Sequence, residues 1–274
     1  MLEPELWGQS SVFLTSCHKK NISNVKNLIK WKDNESIFEF GMADGSNSKS
    51  VLFPILPDNY KEFIGSDVSR RMVEYLKRNN DNPRASFVIF DISSETIPAE
   101  FVNRFDHIFG FAVMHWVKNT RQALKNMYKM LKPDGQILLT YTDETSADEV
   151  YQDLSVHPKW KRYDHKQLMS PFFMTENAFD EYRKLIREAG FKKSYSTTDY
   201  IASKLTDENM FEDFCLSVNP ILSMVTNEEY EEYKEEFICR MKNNKLNHTK
   251  KSSLTGETCC NTSLTLKIVL LEKS

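Results

Sequence analysis

The chain has 274 residues, of which 40% are hydrophobic and 12% aromatic, with only 8 glycines and 9 prolines. This composition excludes a disordered chain and predicts a buried core. The net charge of −3 and a pI near 6.1 argue against a nucleic-acid-binding protein, which usually carries a basic face.

The start of the chain and its cysteines indicate where the protein works. "MLEPELWGQS" has early acidic residues and no apolar core, so we expect no signal peptide. No apolar run approaches the ~20 residues needed to cross a bilayer, so we expect no membrane partner. The five cysteines show no CxxC or Cys/His ligand spacing. They predict free thiols in a reducing cytoplasm and no metal site.

Strand-like and helix-like segments alternate up to Tyr141. The predicted strands are "SIFEFG", "EFIGSD", "ASFVIFDI", "RFDHIFGFAVMHWV" and "QILLTY". The predicted helices between them are "NSKSVLFPIL", "VSRRMVEYLKRNN", with Ser69 as its N-cap, and "NTRQALKNMYKMLKPDG". Continuous apolar strands separated by helices predict an α/β fold with a mostly parallel sheet covered on both faces.

The pattern changes after Tyr141. Four amphipathic helical stretches rich in aromatics and methionines follow, with "KKSYSTTDYIA" between them as a strand and "NTSLTLKIVLLEK" as the last strand. The polar segment 243–256 is predicted to be a loop.

Acidic residues stand where three predicted strands end. Glu39, Asp67 and Asp91 hold these places, and the segment from Gly110 to Trp116 ends a fourth strand. Ligands of open α/β sheets bind beyond the carboxyl ends of the strands. Each acid alone is more often a helix cap or a solvated turn, but three in succession predict a ligand site at this edge.

The glycine turn after the first strand indicates the cofactor. A dinucleotide fingerprint would need glycine at positions 43 and 46, where the chain has Ala43 and Ser46. A looser acid-x-G-x-(G/A)-x-G pattern fits through Glu39, Gly41, Ala43 and Gly45. With an acid ending the second strand and "LKPDG" before the fifth, the chain resembles class I S-adenosylmethionine-dependent methyltransferases.

That resemblance implies a Rossmann-like fold with seven strands, a helical substrate lid and S-adenosyl-L-methionine as cofactor. The ammonium and sulfonium of this cofactor favour carboxylates and aromatic faces. The resemblance implies that Glu39 serves the amino-acid end, Asp67 the ribose and Val68 the adenine. The remaining cofactor-binding positions implied by the resemblance are Gly41, Ala43, Gly45, Asp91, Ile92 and Gly110.

More specific motifs extend over most of the chain. "FDHIFGFAVMHWVKNTRQALKNMYKMLKPDGQILLTY", "IGSDVSRRMVEYL", "GMADGS", "HPKWKRY" and "VNPIL" resemble the arthropod juvenile hormone acid O-methyltransferases. The resemblance implies methyl transfer to the carboxylate of a small apolar acid, such as farnesoic acid or juvenile hormone acid. It implies one domain over 1–274, with N-terminal helices to 34, a cofactor core over 35–142, a lid with the sixth strand over 143–256, and a last strand over 257–274.

Such a carboxylate is already ionised at pH 7, so the chemistry needs no general base. Trp116 matches the family's carboxylate-binding tryptophan, and its indole N–H can only donate. His115 matches a family position beside it and is a second catalytic candidate, although a histidine in an apolar strand end is more often structural. Trp160 and Phe172 of the lid, with Phe173, Phe211 and Met224, are candidates for the apolar pocket, although aromatics at helical spacing usually form core.

The chain departs from the family pattern in three places. The family's Asn and Gln of the first helix fall on Ser11 and Leu14, its tyrosine on Ala112, and its cysteine or serine of the glycine turn on Met42. Leu14 cannot donate a hydrogen bond. Two alternatives therefore stand beside carboxyl methylation: a methyltransferase acting on another nucleophile with His115 or His165 as base, and a cofactor-binding relative without turnover.

Overall fold

The computed structural model describes residues 4–191, 193–205, 208–251 and 258–273. The helices are α1 (Pro4–Ser10), α2 (Val12–Val25), α3 (Arg70–Arg78), α4 (Thr120–Met130), α5 (Ser146–Leu154), α6 (Ala178–Ala189), α7 (Glu208–Ser217) and α8 (Tyr230–Lys242). The strands are β1 (Ser36–Phe40), β2 (Glu62–Asp67), β3 (Ala85–Ile89), β4 (Phe105–Phe111), β5 (Leu131–Tyr141), β6 (Lys193–Leu205), β7 (Asn247–Lys251) and β8 (Thr258–Glu272).

Seven strands form one sheet path in the order β3-β2-β1-β4-β5-β8-β6. The first five are parallel to one another, and β8 runs antiparallel between β5 and β6. The order reverses at β1, whose neighbours are β2 and β4, so this is the switch point where a ligand crevice is expected. The predicted fold class and sheet are confirmed.

The strand β7 was not predicted. It pairs antiparallel with the N-terminal part of β8, with Asn247 opposite Thr262. The prediction of a loop over 243–256 is therefore wrong for β7, while 252–256 lie outside the described residues. A polar strand at the end of a ribbon lacks the apolar alternation by which a strand is recognised.

Two apolar layers cover the sheet, one on each face. Side chains alternate along a strand, so Phe38 packs with α4 and α6 on one face and Ile37 with α2 and α3 on the other. The N-terminus of α3 is capped as predicted, because the Ser69 hydroxyl accepts from the Met72 N–H at 3.4 Å. The predicted helix "NSKSVLFPIL" is instead a π turn over Ser48–Leu52 followed by a 3-10 turn over Phe53–Ile55.

A third apolar cluster lies in α5, α7, α8 and the segment 155–169, which together we call the helical cap. Its centre is formed by Trp160, Phe211 and Tyr233. The intervening helix α6 packs against α4 and covers the sheet. In the described ranges, no helix is long and apolar enough to cross a bilayer.

Candidate functional site

The glycine turn between β1 and the π turn has an unusual backbone. Gly41, Ala43 and Gly45 have positive φ angles of 66°, 52° and 81°. A Cβ atom added to Gly41 would collide with the side chain of Val113, so glycine is needed there for both its conformation and its close approach. The turn thereby lies tightly against the segment that follows β4.

Asp67, the last residue of β2, joins this turn to the next one. One carboxylate oxygen accepts from the Ala43 N–H at 3.0 Å and the other from the Ser69 N–H at 2.8 Å. Burial raises the pKa of Asp67, and these two N–H donors oppose the rise. Each carboxylate oxygen has a second lone-pair site, so Asp67 can still accept hydrogen bonds from a ligand.

A cleft of about 480 Å³ opens over these strand ends. It is lined by eight of the residues predicted for the site, namely Leu14, Gly41, Ala43, Asp67, Val68, Asp91, Ile92 and Trp116. Three elements bring them together: the N-terminal helices, the tips of β1, β2 and β3, and the turn after β4. Eight of the predicted residues thus lie together in one cleft, although they are far apart in the chain.

The acidic residues and the more apolar residues of the cleft lie on different sides of it. Asp67 and Asp91 are on the β2 and β3 side, with Val68 next to Asp67 and 68% exposed. Trp116 and Leu14 are on the side of β4 and α2, in more apolar surroundings that include Val113 and Leu168 of the cap. Carboxylates and an exposed apolar side chain fit a cationic nucleoside, because ribose hydroxyls can donate to the acids and adenine can pack on Val68.

Three predicted cofactor residues lie outside the lining of the cleft. Glu39 is 1% exposed, and its carboxylate accepts from the Ser48 hydroxyl at 2.7 Å behind the glycine turn. Burial raises the pKa of Glu39 to about 8. Gly45 faces Leu76, and Gly110 leaves room for the ring of Phe40. These three residues therefore fix the shape of the glycine turn and of the strands beneath it.

The predicted catalytic histidine is also buried away from the lining. His115 is 9% exposed, and burial lowers its pKa to about 3, with Lys118 and His18 adding a smaller effect of the same sign. It is therefore neutral at pH 7. His165 lies in the helical cap, where its Nε2 is 3.1 Å from the Tyr233 hydroxyl. Neither histidine lines the cleft.

The predicted pocket aromatics of the lid belong to other parts of the structure. Trp160 is 1% exposed and packs edge-on against Tyr233, with ring centroids 5.2 Å apart. Phe172 packs against Tyr182 and lines a separate groove beside α6. Phe211 is core of the cap, whereas Met224 is 59% exposed. The spacing of aromatic residues in the sequence therefore indicates that they are buried, but not which cavity each ring faces.

Sequence reasoning missed several polar or aromatic residues of the cleft, among them four that bring hydrogen-bonding groups. Trp7 comes from α1, Asn47 from the end of the glycine turn, Lys118 from the turn after β4, and Gln167 from the helical cap. Lys118 could have been found from its position two residues after Trp116. Gln167 had no such signal, because only tertiary packing brings the cap to the strand tips.

The family model described as "Methyltransferase domain" matches residues 38–137, which span β1 to β5. Together with the sheet order and the strand-tip cleft, this match decides the family. The chain belongs to the class I S-adenosylmethionine-dependent methyltransferases. Their cofactor is S-adenosyl-L-methionine, which the carboxylates and apolar surface of this methyltransferase fit.

Individual relatives agree with that assignment. The methyltransferase is 28% identical over 215 residues to the juvenile hormone acid O-methyltransferase of Bombyx mori, covering 77% of this chain and 76% of that protein. It is 26% identical over 223 residues to the Drosophila melanogaster protein of the same name, covering 79% and 75%. Its fold is similar to that of Haemonchus contortus phosphoethanolamine N-methyltransferase 2, at a TM-score of 0.50 and 13% identity over 93% of this chain and 53% of that one.

Proposed function

We propose that this methyltransferase methylates the carboxylate of a small apolar acid of the sesquiterpenoid or fatty type. The observation that carries the proposal is that Trp116, whose indole N–H can only donate, lines the apolar side of the cleft. When bound, S-adenosylmethionine supplies a methyl group that a carboxylate oxygen takes by in-line displacement, giving a methyl ester and S-adenosylhomocysteine.

The task left to the protein is to bind and orient the acid. Holding two reactants in line can lower a barrier by roughly 7–11 kcal/mol. Trp116 would orient the carboxylate, while Leu14, Val113 and Leu168 offer apolar surface to the hydrocarbon chain. The names of the Bombyx and Drosophila relatives support an acid substrate.

The surroundings of the cleft argue against a nucleophile that must first lose a proton. The titratable side chains in its described lining are Asp67, Asp91 and Lys118, and the two acids are on the cofactor side. His115 is buried and neutral, so it is poorly placed to act as a general base.

The test is incubation with labelled S-adenosylmethionine and farnesoic acid. We expect a base-labile methyl ester, formed at a rate that is independent of pH between roughly 6 and 8, because the acid is ionised throughout. Trp116→Ala should abolish the product. A bell-shaped pH profile would instead indicate a substrate that needs a base.

A cofactor-binding relative without turnover is the second candidate. It is favoured by Leu14, which lines the cleft at the position where the resemblance implies a glutamine donor. Calorimetry that detects S-adenosylmethionine binding, with no ester formed across a panel of fatty and terpenoid acids, would favour it over the first.

A further inference from the structure

The charges that line the cleft are separated by sign. Asp67 ends β2 and Asp91 follows β3, on one side of β1. Lys118 follows β4, on the other side of β1, and is two residues from Trp116. In the described lining Lys118 is the one cationic side chain. The cofactor side of the cleft is thus negative and the Trp116 side positive.

Lys118 has a hydrogen-bond acceptor but, among the described residues, no counter-ion. Its ammonium donates to the main-chain carbonyl of Met169 in the helical cap. No carboxylate of the described residues lies within 4 Å of it. Burial lowers the pKa of Lys118, and the more distant Asp148 opposes that effect. Asp148 is itself occupied, since it accepts from the Thr145 and Ser170 N–H groups, each at 2.6 Å.

An ammonium that lines a cleft without a counter-ion favours an anion at the same place. It carries three N–H donors, so it can keep the bond to Met169 and still donate to a ligand. Gln167, two residues before Met169 in the cap, brings an amide to the same cleft. Leu14, which lines the same side of the cleft as Trp116, has only hydrocarbon to offer.

We propose that Lys118 binds the anionic group of the acceptor substrate, with Gln167 supplying the amide donor that Leu14 cannot. The inference rests on the proposed carboxyl methylation and deepens it. On this proposal, the protein selects acids over neutral analogues through the Lys118 ammonium and the Gln167 amide. The first helices do not make this selection. Trp116 then shares the carboxylate with an ammonium, and a neutral substrate would lose that contact.

The experiment compares farnesoic acid with farnesol, the alcohol of the same skeleton, bound to the full chain in the presence of S-adenosylhomocysteine. No turnover is possible in this complex, so calorimetry reports binding alone. Lys118→Met should weaken farnesoic acid about tenfold to a hundredfold, as expected for loss of a charged hydrogen bond, and leave farnesol unchanged. Lys118→Arg should retain acid binding within about threefold, since it keeps the charge.

Lys166→Met is the matched control, because Lys166 is exposed on the same turn of the cap and does not line the cleft. It should bind both compounds as the wild type does. Gln167→Leu should weaken farnesoic acid by a smaller factor than Lys118→Met. Unchanged S-adenosylhomocysteine affinity in every variant shows that the cleft is still folded.

Two results with the variant overturn the assignment: Lys118→Met binds farnesoic acid as the wild type does, or it loses farnesoic acid and farnesol equally. A wild-type protein that binds neither compound also overturns it. Failure of the proposed function looks different. In that case farnesoic acid is bound through Lys118 with the expected preference, but labelled S-adenosylmethionine gives no methyl ester.

Discussion

The side chain of Met42 fills the space above Gly65, where a Cβ atom of β2 would otherwise lie. Met42 is 3% exposed, and Gly65 also faces the ring of Phe87. The glycine turn and β2 are therefore fitted to each other through a methionine where the family resemblance implies a smaller residue. A flexible thioether is well suited to fill such an irregular gap.

This contact predicts an energetic coupling between the two positions. Gly65→Ala should lower the free energy of unfolding by about 1–3 kcal/mol, because the added methyl group displaces Met42 from a packed site. Urea unfolding measures the effect. In a Met42→Ala background the same substitution should cost less, since the space is then vacant. Strictly additive effects of the two substitutions would contradict the fit.

The two tryptophans Trp116 and Trp160 should respond in opposite ways to the same substitution. Trp116→Phe keeps an aromatic ring but removes the indole N–H, so the KM for farnesoic acid should rise about tenfold with little change in thermal stability. Trp160→Phe removes part of a buried core side chain and should lower the Tm while leaving that KM unchanged. Steady-state kinetics and a thermal melt separate the two outcomes. A KM effect from both variants would count against a specific role for Trp116.

Leu14 offers a gain-of-function prediction. Leu14→Gln should raise turnover of farnesoic acid, because a side-chain amide then reaches the cleft from α2 and adds a hydrogen bond to the carboxylate. Initial rates of ester formation provide the measurement. Leu14→Met is the control for a change of shape without an N–H donor, and it should leave the rate near that of the wild type. Equal rates for Gln and Met would mean that residue 14 does not approach the carboxylate.

Glu39 predicts a pH dependence of stability. Its pKa is raised from an ordinary value of 4.5 to about 8 by burial. Between these values the folded chain keeps a proton that the unfolded chain loses, so the contribution of Glu39 to the free energy of unfolding falls as pH rises. The slope is at most roughly 1.4 kcal/mol per pH unit.

Urea unfolding of the wild type and Glu39→Gln from pH 5 to pH 8 isolates this contribution. His18 and His115, whose pKa values are lowered to about 4 and about 3, are common to both proteins. The advantage of the wild type over the variant should shrink steadily with increasing pH. Parallel curves would mean that Glu39 is already ionised in the folded protein.

The sheet and its ligand edge could be predicted because they depend on local patterns. The apolar run of β1, the cap at Ser69 and the acid at Asp67 are each visible within a few residues of sequence. The direction of a side chain within the cap is a different matter. Trp160 and Gln167 lie in one segment, yet Trp160 is core and Gln167 lines the cleft, because the packing of α5, α7 and α8 decides which residue faces inward.

The hydrogen bond between Asp67 and the Ala43 N–H has a consequence for the incoming nucleoside. This hydrogen bond joins the glycine turn to the end of β2, and the bond from the Ser69 N–H joins the start of α3 to the same carboxylate. The conformational entropy of arranging this receptor is therefore lost during folding, not at the moment of association. We therefore predict that a nucleoside bound at this proposed site meets a preorganised surface, so that its affinity depends on contacts more than on loop ordering.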